Sequence, residues 1–152
     1  MKTNCTGKNG FMAMKLDMIK AYDRVEWSFL EQFLLKLGFQ DSWVELIMEC
    51  ITSVSYSILV NGEPMGMITP LRGLRQGDPL SPYLFLFCVE GLNALLSGVA
   101  SRGEIHGFSI SRNGPKLTHL FFADDCMIFP DPPWRNVIKF RSYLGTGVVT
   151  LV

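Results

Sequence analysis

Segment 117–129 limits most strongly how this chain can fold. Residues 117–122 and 126–129 are apolar runs of strand length, and Ala123-Asp124-Asp125 between them reads as the tip of a hairpin. Aspartate is a ready turn former, so an adjacent pair means little alone. The setting gives it meaning. Phe121, Phe122 and Ala123 on one side, with Met127, Ile128 and Phe129 on the other, press both carboxylates against apolar strands. Unpaired negative charge is costly there unless a cation neutralises it. A third acid has the same arrangement: Met12, Met14 and Leu16 alternate with Ala13, Lys15 and Asp17, the period of a strand that ends on Asp17. Two such strand ends side by side would gather three carboxylates, which need a counter-ion. Hard oxygen ligands of this kind suit Mg²⁺, which shares its remaining positions with water and substrate phosphates. Two such ions about 3.5–4 Å apart form the clamp used for in-line phosphoryl or nucleotidyl transfer.

Between these acids the sequence spells out further elements. Ser28-x-x-Glu31 has capping-box spacing and leads Phe29, Leu30, Phe33, Leu34 and Leu37 into an amphipathic helix that stops at Gly38. Ser42-x-x-Glu45 opens a second helix carrying Trp43, Leu46, Ile47, Cys50 and Ile51. Asn61-Gly62 is the strongest two-residue hairpin signal and places a β-hairpin over 55–68. Residues 69–80 form a loop rich in Gly, Pro and Arg. Ser81 and Pro82 then start a third helix with Leu84, Phe87, Cys88, Gly91, Leu92 and Leu95 in register. The order is strand, helix, helix, hairpin, helix, hairpin. Pro130-Asp131-Pro132-Pro133 stops any element that precedes it.

With 14 basic and 14 acidic residues the chain has no net charge, which excludes a polybasic arm or acidic tail as the carrier of function. At 48% hydrophobic and 18% charged it is too apolar for a disordered polymer, and 152 residues make about one domain. Cys5, Cys50, Cys88 and Cys126 form no C-x-x-C pair, so a reducing compartment is expected. The N-terminus lacks a signal-peptide core, and the longest apolar run, 83–89, falls short of the roughly 20 residues that span a bilayer. The expectation is an intracellular protein of nucleus or cytoplasm, neither secreted nor embedded in a membrane.

Three stretches together resemble the palm motifs of reverse transcriptases, in the form found in plant non-LTR (LINE-type) retrotransposons. They are Lys15-Leu16-Asp17-Met18-Ile19-Lys20-Ala21-Tyr22-Asp23-Arg24-Val25-Glu26-Trp27, then Arg72-Gly73-Leu74-Arg75-Gln76-Gly77-Asp78-Pro79-Leu80-Ser81-Pro82-Tyr83-Leu84-Phe85, then Phe122-Ala123-Asp124-Asp125. Three motifs in order are far more specific than one. The resemblance implies an α+β fold, a partial polymerase palm whose antiparallel sheet carries helices on one face. It implies an RNA-directed DNA polymerase (nucleotidyltransferase) with two Mg²⁺ ions, Mn²⁺ being a substitute, that works on an RNA template, a DNA primer and deoxynucleoside triphosphates. Asp17 and Asp124 would then ligate metal, with the Met18 carbonyl a further oxygen and Asp125 a supporting, metal-side carboxylate. Tyr22 would pack on the incoming sugar and exclude a 2′-hydroxyl, its alternative being core packing beside Trp27. Gln76 and Gly77 would contact the incoming nucleotide. Arg72 and Arg75 would pair with template or triphosphate oxygens, or else form a solvated loop face. Asp23 reads as a cap or a partner of Arg24, and His119 as a hydrogen-bonded core residue.

The expected organisation is a partial reverse transcriptase domain over 1–129, palm with part of the fingers, followed by a divergent tail over 130–152. Further fingers and a thumb are expected only in the parent protein. Residues 1–130 hold 11 basic and 13 acidic side chains, a poor grip on nucleic acid, so the isolated chain is expected to be inactive. Two alternatives stand beside this reading: a non-catalytic retroelement relic or interaction module, and a two-metal nuclease.

Overall fold

The computed structural model describes residues 13–17, 20–111, 114–122 and 125–129. The fold is mixed α+β with antiparallel sheets, as expected. The elements run β1 (Met14–Asp17), a single 3-10 turn (Tyr22–Arg24), α1 (Trp27–Lys36), α2 (Asp41–Thr52), β2 (Tyr56–Val60), β3 (Glu63–Ile68), α3 (Ser81–Ser101), β4 (Phe108–Ser109), β5 (Lys116–Leu117), β6 (His119–Phe122) and β7 (Asp125–Ile128). They fall into two compact units: residues 20–89 form one, and the described residues before 20 and after 89 form the other.

In the 20–89 unit, α1 packs on α2. Leu30 and Leu34 of α1 and Val44 and Ile47 of α2 are the buried residues of the pair. The capping boxes expected at Ser28 and Ser42 are not used. Each helix starts one residue earlier than its serine, with Glu26 and Gln40 at the N-cap positions and no side-chain cap bond. The extended backbone of Glu26 and Gln40 sets both helix starts, which leaves Ser28 and Ser42 inside the first turn. The end of α1 is closed as expected: the Gly38 and Phe39 N–H groups donate back to the Leu35 and Leu34 carbonyls at 3.0 and 3.3 Å, the paired bonds of a Schellman motif. Phe39 then stacks on Trp43 with ring centroids 4.5 Å apart and meets the edge of Phe87 at 5.5 Å. The buried face of α2 runs through Val44 and Ile47, so Leu46, read from sequence as part of the apolar face, is 61% exposed.

The β2–β3 hairpin turns on Asn61 and Gly62, both with positive φ (53° and 87°), the geometry of a type I′ turn. Its register shifts between Tyr56 and Ile58, where Ser57 stands against two residues of β3. Helix α3 runs to Ser101, past the Leu95 at which the sequence register ended. Its buried residues include Leu84, Phe85, Cys88, Leu92, Leu96 and Val99, a stripe on which Leu95 does not lie. By length and composition α3 is long and apolar enough to cross a membrane, with a mean hydropathy of 1.6. Counting only unbroken apolar runs missed this, because Glu90, Asn93 and the serines interrupt the runs without adding much charge.

In the other unit β7 is the middle strand of a three-stranded antiparallel sheet, order β1-β7-β6. Cys126 and Ile128 are almost fully buried, whereas Met127 between them is exposed, the alternation of a half-buried strand. Phe108 packs edge-on against Phe129 at 4.7 Å. Cys50, Cys88 and Cys126 are free thiols.

The burial pattern ranks substitutions. Leu34→Ala, at a position with no solvent exposure, is expected to cost about 2–5 kcal/mol of unfolding free energy. Leu46→Ala is expected to stay within about 0.5 kcal/mol of the parent. Urea denaturation followed by circular dichroism measures both; equal losses would refute the assignment of the α2 face.

Candidate active site

The strand register carries the most telling geometry. β1 and β7 pair antiparallel with Met14, Lys15, Leu16 and Asp17 opposite Ile128, Met127, Cys126 and Asp125. Asp17 and Asp125 are therefore Cα partners although 108 positions separate them in the sequence. On the other side Asp125 stands opposite Phe122 of β6. Asp125 thus opens strand β7 and does not sit on the hairpin tip where the sequence reading placed it. Asp124 and Met18 lie outside the described residues.

Sequence reasoning missed the cation at this spot. Lys15 Nζ lies 2.8 Å from Asp125 Oδ2, an ion pair between side chains that are both partly exposed. The signal was present, because Lys15 and Asp17 are two apart on an alternating strand and so share a face position. Among the described residues no three His, Cys, Asp or Glu side chains converge as a metal-binding group. Asp17 and Asp125 are opposed as backbone partners, and the Asp125 carboxylate, an oxygen donor of the kind a hard cation takes, is paired with Lys15.

The other expected residues belong to the 20–89 unit. There the segment 72–74 is strapped to the segment 22–27. The Gly73 N–H donates to the Val25 carbonyl and the Leu74 N–H to the Tyr22 carbonyl, both at 2.8 Å. Trp27 Nε1–H donates to the Gly73 carbonyl at 2.7 Å. Arg72 pairs with Glu26 at 3.0 Å. Gly73 sits at φ +94°, and a Cβ there would lie 3.0–3.2 Å from backbone atoms of Asp23. Both conformation and space therefore demand glycine at this crossing.

The loop borders a cleft of about 560 Å³, whose lining includes Asp23, Cys50, Tyr56, Arg72, Arg75 and Gln76. Arg72, Arg75 and Gln76 are thus brought together, but Arg72 is engaged by Glu26. Gly77 is exposed at φ +86°, and a Cβ there would meet nothing within 4 Å, so its role in the turn is conformational and the space beside it is open. Tyr22 stacks on Phe85 with centroids 4.7 Å apart and an interplanar angle of 16°; Phe85, not Trp27, is its stacking partner. Half-buried, Tyr22 has one ring face covered by Phe85. Asp23 is exposed in the 3-10 turn, where no side-chain cap bond forms.

His119 is hydrogen-bonded at both ring nitrogens, to Thr118 Oγ1 at 2.9 Å and Asn93 Oδ1 at 2.8 Å, and burial lowers its pKa from 6.5. It is the satisfied histidine expected from its place in an apolar strand. Burial also pushes the Cys126 thiol up to about 11, which keeps it protonated and unreactive at neutral pH.

Comparison with known proteins gives the family directly. The profile of the reverse transcriptase (RNA-dependent DNA polymerase) family matches residues 2–135, and the chain belongs to that family. The match runs past Phe129, the expected end of the domain. An uncharacterized mitochondrial protein of Arabidopsis thaliana is 52% identical over 67 residues, 44% of this chain and 55% of that protein. A Retrovirus-related Pol polyprotein from the type-1 retrotransposable element R2 of Popillia japonica is 31% identical over 121 residues, 80% of this chain and 19% of the polyprotein. The corresponding polyprotein of the R2DM element of Drosophila melanogaster is 28% identical over 116 residues, covering 76% of this chain and 10% of its own length. The chain therefore spans about half of the plant relative and a fifth or less of these Pol polyproteins. The R2 relatives agree with the non-LTR character read from the motifs.

Two substitutions test this geometry. Gly73→Ala is expected to destabilise the chain by about 2–4 kcal/mol, since it adds left-handed strain and a steric clash with the backbone. A Gly73→Ala protein as stable as the parent in thermal unfolding would show that the strap does not form. Lys15→Met is expected to lower stability by about 0.5–1 kcal/mol in low-salt buffer, an effect that shrinks as salt screens the exposed pair. A loss unchanged by added salt would mean that packing, not charge, accounts for it.

Proposed function

We propose that this chain provides the palm, with part of the fingers, of an RNA-directed DNA polymerase encoded by a non-LTR retrotransposon of plant type. The domain would extend over 1–129 and the remaining residues would form a divergent tail. The observation that carries this reading is the register that sets Asp17 opposite Asp125, one residue from Asp124. Asp17 and Asp124 would ligate the metals together with the Met18 carbonyl. The Lys15 pair favours a supporting role for Asp125, held beside the primer terminus, over permanent ligation. Two Mg²⁺ ions, when bound, would activate the primer 3′-hydroxyl and steady the leaving pyrophosphate.

Tyr22, backed by Phe85, offers a rigid ring against the incoming sugar, where a 2′-hydroxyl would collide with it. Arg75 and Gln76 line the cleft and suit a triphosphate oxygen and a nucleotide hydrogen bond respectively, next to the open backbone at Gly77. Arg72 is better suited to holding the loop through Glu26 than to binding phosphate. Template RNA, primer and nucleotides would be the partners, within nucleus or cytoplasm. With 13 acidic against 11 basic residues up to position 130, the chain lacks the clustered cations that grip a phosphate backbone, so on its own it would turn over poorly.

Manganese binding, read by electron paramagnetic resonance, tests the carboxylate centre without requiring turnover. Asp17→Asn and Asp124→Asn are each expected to weaken Mn²⁺ binding about tenfold or more while circular dichroism stays unchanged. Unaltered binding in both variants would overturn the proposal. RNA-templated primer extension by the chain alone is expected to match that of Asp124→Ala. Asp124-dependent strand cleavage in place of extension would move the assignment to a two-metal nuclease.

A further inference from the structure

A polar chain runs from the start of β6 into α3, half-buried at Thr118, His119 and Asn93 and exposed at Glu90, and has no part in the functions assigned above. Asn93 Nδ2–H donates to Glu90 Oε1 at 3.1 Å, which turns the Asn93 amide oxygen toward His119. That oxygen lies 2.8 Å from His119 Nε2, so Nε2 carries the ring proton and donates it. Nδ1 is left as an acceptor, 2.9 Å from the Thr118 hydroxyl. All three bonds then donate in one direction, from Thr118 through His119 and Asn93 to the Glu90 carboxylate. Phe121 closes the arrangement with its ring 5.4 Å from the imidazole, edge to face.

The place of this chain in the sheet gives it consequence. Strand β6 begins at His119 and ends at Phe122, directly before residues 123–124. Its outward residues Leu120 and Phe122 are 47% and 83% exposed, so burial does little to hold the strand. Backbone pairing to β7 holds one edge, and the side-chain tie to α3 is made at His119. We propose that neutral His119 is a positioning residue that fixes strand β6, which ends two residues before Asp124 in the sequence, to helix α3, and that acid releases this tie.

Protonation at Nδ1 would force the Thr118 hydroxyl to reverse and place a cation where desolvation disfavours it. The groups that face the imidazole are few. From α3 comes Glu90, through Asn93. From β7 come Ile128, directly opposite, and Cys126, whose thiol stays protonated throughout this range. Phe121 of β6 and Thr118, the residue before β6, do not titrate here. Because the folded pKa lies below 6.5, an opened or unfolded form takes up the proton first. The stabilisation is complete above about pH 6.5 and is lost as pH falls through the lower folded value.

Hydrogen exchange of the full chain, corrected for intrinsic rates and read by mass spectrometry over 117–129, tests this. Protection there is expected to fall about threefold or more between about pH 7.5 and about pH 5.5 in the parent, and to stay flat in His119→Gln, which keeps a neutral donor. Asn93→Leu is expected to be poorly protected at both pH values, with protection over 27–52 unchanged as the control for folding. The same pH loss in His119→Gln as in the parent, or full protection in Asn93→Leu, would overturn the proposal. The catalytic meaning of the tie rests on the polymerase reading, and Mn²⁺ binding separates the two. Weaker binding at about pH 5.5 in the parent than in His119→Gln is the expected result. If Mn²⁺ binds nowhere, the polymerase reading fails, while the exchange data still decide the tie.

Discussion

The antiparallel pairing of β1 with β7 is the contact on which the rest of the candidate centre depends. It places like charges in opposite positions, an arrangement that is unfavourable by itself in a sheet. Two features offset the repulsion. Cys126 and Ile128 bury their side chains almost completely, so a one-residue slip of register would move them to the solvent side and forfeit that burial. Lys15 sets a positive charge on Asp125 from the neighbouring strand. Apolar burial fixes the register, and the register in turn sets the backbone of Asp17 opposite that of Asp125.

A second constraint operates in the 20–89 unit. The loop at 72–74 cannot wander, because two backbone hydrogen bonds, an indole N–H and an ion pair tie it to 22–27. The crossing is so close that glycine is required at position 73. This strap gives the arginine-rich loop a defined shape beside the cleft. It also divides the labour between two arginines that look alike in sequence: Arg72 braces the loop, while Arg75 lines the open space.

The unit also carries an apolar surface with no cover among the described residues. Leu59 and Met67 of the β2–β3 hairpin are 70% and 78% exposed, on a ribbon with two open edges. Isolated two-stranded ribbons are marginal in water, and unpaired edges are templates for association. Solubility is therefore a property to be watched in handling this chain.

Much of this was legible in the sequence because local patterns are local physics. Asn61-Gly62 specifies its turn through backbone conformation alone, Gly38 closes its helix by the same means, and alternation marks β1. The order of elements follows from those signals. Helix starts were misplaced because Ser28 and Ser42 offered caps that the backbone at Glu26 and Gln40 made unnecessary. The buried face of α2 was misjudged because Leu46 and Ile47 are equally apolar, and only the position of α1 decides between them. The sequence by itself determined the acidic strand ends, the family motifs and the turn chemistry, all of which reside in residues a few positions apart. Tertiary structure alone decided that Asp125 begins a strand, that Lys15 neutralises it, that Glu26 takes Arg72, and that His119 is tied to Asn93. Each of those depends on which distant segment lies within a few ångströms, a matter settled by burial and strand register across the whole chain.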